Sequence, residues 1–544
     1  MTSIRAFQFT LASLSLAAIA ACGGGDAIAP PTIATQPANV TVGEGGSAAF
    51  TVAATGADPL AFAWLNAADS SPIPGATAAT LSSSSVSLAD SGKAFKARVS
   101  NGGGEVLSAN ATLTVNERAW SARFDVAGYA RNSAVVVDSN GHTHLLSVNG
   151  DATHADVMAH LKLKLSDSTQ ANFLGLVGEL QAMDVLSDPT TSIATAANAT
   201  GHVMAVWHRN GLVGAALYTP AGNPANTGTW QLLPTRISSF TTGSARDPAV
   251  VAVGNTGFEF VWREQTGSNE QYDIMGRHYT IANNTLGAIV GLEVSPEDTQ
   301  APRIVADAAG NMLAAWKFAG TGVVINRRLQ GNAWSTATTV VEGASGYVLD
   351  HLKGNAAGKA IVLASDRIGH ASFIQLDLAA SNPMVGAGGV NAFGSAADAF
   401  VFADGRIHVF GVSVNTDGGN TSRLFHWNFV PNTGWSGANP VSDISNHDFI
   451  ATGWGVRNPY VAGADAQGNL LLTWEERDSA SGGLGRVQAR RLHAGLNQWR
   501  GITAVAAGSG TDHRIPLAAV APDGSATVVF RNQISGGFGA ANFR

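Results

Sequence analysis

The sequence predicts an all-β protein built in two parts. Three observations carry this. Charged residues make up only 13% of the 544-residue chain while glycine occurs 63 times, a composition of short strands and tight turns and not of long helices. Apolar and polar residues alternate over short runs, the pattern of a half-buried strand. From residue 117 onward one unit recurs, and internal repeats are sought before any motif. At 45% hydrophobic residues the chain can bury a large core, which excludes disorder, and its length suits two or three domains. The net charge of −7 is mild and no long Lys/Arg run occurs, which argues against nucleic acid as a partner.

The first element is the N-terminus. Met1–Arg5 carries one positive charge and Phe7–Ala21 is apolar, the layout of an export signal too short to span a membrane. It ends in Ile19-Ala20-Ala21-Cys22, followed by Gly23-Gly24-Gly25-Asp26. This stretch resembles the bacterial lipobox. The resemblance implies removal of residues 1–21, lipid attachment at Cys22 and a Gly-rich tether over 22–30. Several acyl chains give a stable membrane anchor where one is marginal. The residue after the cysteine is Gly23 and not aspartate, so the resemblance implies an outer-membrane lipoprotein, facing the periplasm or the cell surface. Cys22 is the only cysteine, so neither part of the body is expected to use disulfides.

Residues 31–116 follow as alternating runs at Ala48–Ala54, Ala61–Leu65, Lys96–Ser100 and Ala109–Val115. Gly45-Gly46-Ser47 precedes a strand, Trp64 follows it, and Asp90-Ser91-Gly92 leads to Phe95 and Asn101. These landmarks resemble an immunoglobulin-like sandwich. Val52 and Ala97 stand where the family has its paired cysteines, so apolar packing around Trp64 must replace the bridge. Such a module serves as an adhesive domain or as a plain spacer.

Residues 117–544 carry the repeat. Its clearest copy is Ile304–Gly310, Asn311–Trp316, Val323–Leu329 and Ala333–Val341, with an Asp307-Ala308-Ala309-Gly310 turn. The turn glycine recurs as Gly141, Gly201, Gly257, Gly310, Gly358, Gly405, Gly468 and Gly524. A large aromatic follows about six residues later: Trp207, Trp262, Trp316, Phe410, Trp474 and Phe530. A four-stranded unit of roughly 50 residues repeated this often resembles a β-propeller. Eight copies imply eight blades, or seven if a degenerate copy is no full blade. The last copy lacks a fourth strand, and residues 119–126 resemble an orphan one, so pairing the two would close the ring and leave no open edge. The repeats are also similar to those of uncharacterised proteobacterial surface lipoproteins.

Charged residues follow several of the aromatics: His208 and Arg209, Arg263 and Glu264, Lys317, Asp366 and Arg367, Glu475 and Arg477, and Arg531. In a propeller these equivalent positions would ring one end, the candidate ligand face; a solvated loop face is the plainer alternative. A second cluster comprises His142, His144, His154, Asp156 and His160. Two imidazoles two residues apart in a strand can chelate zinc or copper. Surface histidines without metal are the simpler reading, because no carboxylate or thiolate spacing completes a recognised set. The tryptophans themselves are expected in the core.

No G-x-S-x-G elbow, G-x-x-x-x-G-K-S/T loop or H-E-x-x-H helix is present, so no catalytic residue and no cofactor is expected. The turns also differ in spacing from the S-x-D-x-G-x-x-W turns of sialidase-type propellers. The expected function is a non-enzymatic envelope protein that binds a glycan or protein through one propeller face. The alternatives are an extracellular polysaccharide hydrolase or lyase, and a structural spacer.

Overall fold

The computed structural model describes residues 28–543. Outside it lie 1–27, 544 and, internally, 127–132, 151–154, 163–173, 182–191, 210, 224–227, 240–243, 266–270, 294–298, 319–321 and 343–346. So do 367–369, 392–394, 415–421, 436–438, 441–453, 479–484, 495–497, 507–511, 533 and 535–536. Cys22 and the stretch expected to be an export signal therefore fall outside the described residues. Among those described, no helix is long and apolar enough to cross a membrane. The chain divides into two compact units between Asn116 and Glu117.

The first unit is an immunoglobulin-like sandwich. One sheet holds Val40–Gly43, Ala111–Asn116, Ala94–Asn101 and Ala61–Asn66, with Gly104–Leu107 on the Ala94 strand. Facing it, Ala48–Thr51 pairs with Thr80–Ser83, and Thr32–Thr35 with Ala53–Thr55. Alternation along Ala48–Thr51 and Ala111–Asn116 buries every second residue, as a two-layer fold requires. Trp64 is fully buried and its indole N–H donates to the Ala78 carbonyl at 3.0 Å. Val52 and Ala97 are buried beside it in the same apolar cluster. Phe95, at the corner, packs on Phe50 at 5.2 Å between ring centroids.

The second unit is a β-propeller. Eight sheets of four or five strands occur among its described residues, here called blades 1 to 8. Their first strands are Ser133–Val137, Ile193–Ala197, Ala245–Val253, Arg303–Ala306, Val348–Gly354, Ser395–Val401, Trp454–Ala464 and His513–Val520. Each of these lies beside the next, and His513–Val520 lies beside Ser133–Val137, so the series closes on itself. The fourth strand of blade 8 is Phe124–Val126, paired with Phe538–Phe543, with Trp120 bridged to Phe543. The ring therefore has no open edge between its last and first blades.

The core is a set of wedges between blades. Met204, Val206 and Ala215 of blade 2 meet Phe258, Phe260 and Trp262 of blade 3. Leu471 and Val487 of blade 7 meet Val528 and Phe530 of blade 8. Across the closure, Val126, Val529, Phe538 and Ala540 meet Leu145 of blade 1. Trp207, Trp262, Trp316, Trp474 and Phe530 are all buried at one repeat position. Across from Trp207 the third strand has Gly214, where any Cβ would press on the indole ring.

The repeated turn has a local cause. In blade 7 the Asp465 carboxylate accepts the backbone N–H groups of Gln467 and Asn469 at 3.0 and 2.8 Å, and Gly468 takes φ +82°. Asn355 does the same for Ala357 and Lys359 in blade 5. A short Asx side chain mimics the backbone acceptor, and the left-handed residue is best served by glycine. Asn355 also donates to the Phe402 carbonyl of the next blade at 2.8 Å, so this turn joins neighbours too.

Two positions in the repeat differ from the sequence reading. Gly257 opens the second strand of blade 3, and the positive φ of that turn belongs to Gly254. Phe410 sits one residue short of the tryptophan position and so points to the other face. It packs with Trp474 toward blade 7.

Candidate functional site

The ends of the second strands and the starts of the first strands meet at one end of each blade, because the two are antiparallel neighbours. In blade 3 Arg246 lies opposite Arg263, and in blade 8 Arg514 lies opposite Arg531. The candidate ligand face is therefore a real end of the propeller, but alternation along the strands sorts its residues. Arg263, Lys317, Asp366 and Arg531 are partly exposed there.

Glu264, Glu475 and His208 are not: they are 1%, 0% and 1% exposed, which corrects the expectation that they face a ligand. Two residues after a buried tryptophan a side chain returns to the tryptophan's side. Trp262 Nε1 accordingly donates to Glu264 Oε2 at 2.6 Å, and Trp474 Nε1 to Glu476 Oε1 at 3.1 Å. Glu475 points the other way and accepts the Ile515 backbone N–H of blade 8 at 3.0 Å. Glu475 thus ties blade 7 to blade 8. Arg209 and Arg477 lie in described strands, but their side chains, like all of Arg367, fall outside the described residues.

Groups absent from the sequence reading complete this end, and they come from the first strands. Five first strands shift register there: between Arg246 and Ala249, Leu349 and His351, Ala396 and Asp398, Arg457 and Tyr460, and Arg514 and Leu517. A bulge inserts a residue and re-aims the side chains around it. The signal was present as Arg246-Asp247-Pro248, Arg457-Asn458-Pro459 and Arg514-Ile515-Pro516, since proline inside a strand marks a bulge. Asp247 and Ile515 both take positive φ there.

The bulges set up a chain of charges and rings around the inner strands. In blade 3 Arg263 Nη2 pairs with Asp247 Oδ2 at 2.5 Å, and its guanidinium stands 4.9 Å from the Tyr272 ring centroid. Arg303 follows in blade 4, exposed at the start of its strand. Lys353 of blade 5 then pairs with Asp398 of blade 6 at 2.8 Å, with His351 Nδ1 at 3.9 Å from the same oxygen. Asp398 is buried and also accepts the backbone N–H groups of Ala399 and Val461, both at 2.9 Å. Lys353 Nζ lies 5.9 Å from the ring centroid of Tyr460 in blade 7.

Burial pushes the Asp398 pKa up, but Lys353 and His351 outweigh it and hold the carboxyl below its usual range. Burial pushes Lys353 down, and Asp398 outweighs that and raises it. Burial raises the Tyr460 phenol. One side chain in three strands' reach thus keeps its charge, and its partner keeps the opposite one.

The histidine cluster lies at the other end, beside the first Asp-x-x-Gly turn. His142 and His144 are 1% and 0% exposed, which corrects the expectation of surface histidines. Both face one carboxylate: Asp138 Oδ2 is 3.0 Å from His144 Nε2 and 3.4 Å from His142 Nδ1. His144 also packs edge-on against Tyr218 of blade 2 at 4.5 Å. Burial raises the Asp138 pKa, but its two histidine partners hold it well below the usual range. Burial lowers His144. His160 is paired through its backbone with Leu145, while its side chain, that of Asp156 and all of His154 fall outside the described residues. Among the described residues no group of three side chains is arranged to hold a metal ion.

No family model matches the chain, and no curated protein matches it. Solved structures are similar to parts of it. A lectin of Aleuria aurantia, in complex with Fucα1-6GlcNAc, is similar over 59% of this chain and 98% of its own, at 12% identity and TM-score 0.32. Prolyl oligopeptidase B from Galerina marginata is similar over 75% of this chain and 56% of its own, at 10% identity and TM-score 0.42. A chimeric titin Z1Z2 is similar over 17% of this chain and 98% of its own, at 25% identity and TM-score 0.15.

Proposed function

We propose that the protein is a cell-envelope lipoprotein, anchored through Cys22, which binds a glycan or protein without turning it over. The binding end is the one where the first strands begin. The observation that carries this reading is the Lys353–Asp398 pair with Arg263–Asp247, Arg303 and Tyr460 around it. Convergent polar groups and aromatic faces on a closed, rigid scaffold are the ordinary make-up of a ligand site. General acid–base catalysis works best with a pKa near the operating pH. Asp398 and Lys353 are displaced away from it in opposite directions, which favours recognition by fixed charges over proton transfer.

The anchor rests on the Ile19–Cys22 motif and the glycines after it. Substituting Cys22→Ser should abolish labelled palmitate incorporation and release a folded protein to the soluble fraction; loss of folding would sink this part. The released chain, screened on arrays of saccharides and envelope proteins, should bind at least one. Charge reversal at Arg263, Lys317 and Arg531 together should remove that binding. Turnover of any extracellular polysaccharide, or binding untouched by the reversals, would overturn the reading.

A further inference from the structure

Between blades 7 and 8, at the end carrying the Asp-x-x-Gly turns, lies a cavity of about 320 Å³. Four arginines line it, Arg118, Arg490, Arg491 and Arg500, with one carboxylate, Glu117, in the lining and a second, Asp465, paired with Arg491. In a chain of net charge −7 this is a local excess of positive charge, suited to an anion. Nearby groups hold the guanidiniums in place. Arg491 is buried, paired with Asp465 at 3.0 Å and 5.5 Å from the Phe543 ring centroid. Arg490 Nε donates to the Arg500 carbonyl at 2.6 Å, and Arg118 donates to the Asp523 carbonyl at 2.5 Å. A site whose donors are already ordered loses little freedom when a ligand arrives.

Glu117 shows which anion the cavity suits. Its carboxylate takes both donors of Arg500 in a fork, at 2.9 and 2.6 Å, the planar match that guanidinium makes with carboxylate. The two side chains are 34% and 38% exposed, so an incoming carboxylate can reach the fork from solvent and compete with Glu117 for it. Beside it Trp120, tilted against Phe543 at 5.0 Å, gives a flat apolar wall next to the charges. The volume is at the small end for ligand sites, which suits a single ring.

The geometry points to a binding site for a carboxylate-bearing saccharide of the hexuronic acid class. Its carboxylate replaces that of Glu117 on the Arg500 fork, its hydroxyls meet Arg490, and its ring lies along Trp120. The site shares no residue with the charged end described above and stands or falls independently of it.

The test is calorimetric titration of the full chain carrying Cys22→Ser with sodium D-glucuronate, D-glucose and inorganic phosphate. Glucuronate should bind saturably and glucose should not. Glu117→Gln should tighten glucuronate several-fold by removing the internal competitor. Arg500→Lys keeps the charge and loses the fork, so it should weaken glucuronate about tenfold or more with an unchanged melting temperature. The proposal is overturned if neither the parent nor Glu117→Gln binds glucuronate, or if Arg500→Lys binds it as the parent does. Phosphate binding as tightly as glucuronate would also overturn it, since the cavity would then be a general anion site.

Discussion

Replacing Lys353 by methionine tests the charged end at its most connected point. The change keeps most of the unbranched stem of the side chain and removes the cation 2.8 Å from Asp398. Asp398 is 1% exposed, and stripping one partner from a buried ion pair typically costs about 3–5 kcal/mol. Two features reduce that. Lys353 is 33% exposed, so solvent already screens the pair, and Asp398 keeps its bonds from Ala399 and Val461. The expected loss is about 2 kcal/mol at neutral pH.

Asp398→Asn should cost less, because Lys353 can reach water. The double variant should then lose clearly less than the sum of the two, by at least about 0.5 kcal/mol, as for directly coupled residues. Urea unfolding followed by tryptophan fluorescence reads the propeller well, since Trp64 is the only tryptophan before residue 117. The pH dependence carries a sign as well. The carboxyl of Asp398 is held below the usual carboxylate range, so its contribution is present above that range and fades as pH falls through the folded pKa. In Lys353→Met that loss should begin at higher pH. Coincident midpoints for Lys353→Met and the parent, or strictly additive losses, would refute the coupling.

Burial and the charge of Arg406, against the pull of Asp404, hold His408 down to about 4, and burial beside His408 holds His426 down to about 3, from a usual 6.5. Below pH 6.5 the unfolded chain takes protons that the folded one refuses, so stability should fall with pH toward about 3; His426→Phe should flatten that fall in acid unfolding curves. Trp262→Phe leaves Glu264 without its indole donor and should cost about 1–3 kcal/mol more than Trp316→Phe, because among the described residues the Trp316 indole N–H meets no hydrogen-bond partner. Equal melting temperatures for the two would contradict the pairing. Val126→Asp puts a carboxylate into the wedge of Val529, Phe538 and Leu145; the melting temperature should drop by many degrees, and an unchanged one would mean that the 124–126 strand does not close the ring.

The repeat was visible in the sequence because its period is carried by chemistry that tolerates no substitute. A turn needing positive φ keeps glycine, as at Gly310 and Gly468, and the interblade wedge keeps a large ring, as at Trp316 and Trp474. Where another solution exists the pattern slipped. Blade 3 turns on Gly254, and in blade 6 Phe410 faces blade 7, while Phe373 and Trp427 fill the wedge between blades 5 and 6. The ligand end was harder. Counting residues beyond the tryptophans mixes side chains that alternate in direction, which is why buried Glu264 stood beside half-exposed Arg263 in the same reading. Lys353 and Asp398 were out of reach, because their meeting depends on a bulge in one strand and on the neighbour of another blade.

The central claim is that the bulged end of the propeller receives the ligand. Hydrogen exchange on the Cys22→Ser chain, alone and with its tightest binder from the arrays, tests it directly. Amides of residues 245–251, 348–354, 395–401 and 454–461 should gain protection when that binder is present. Bound ligand with exchange at those four segments unchanged would contradict the account.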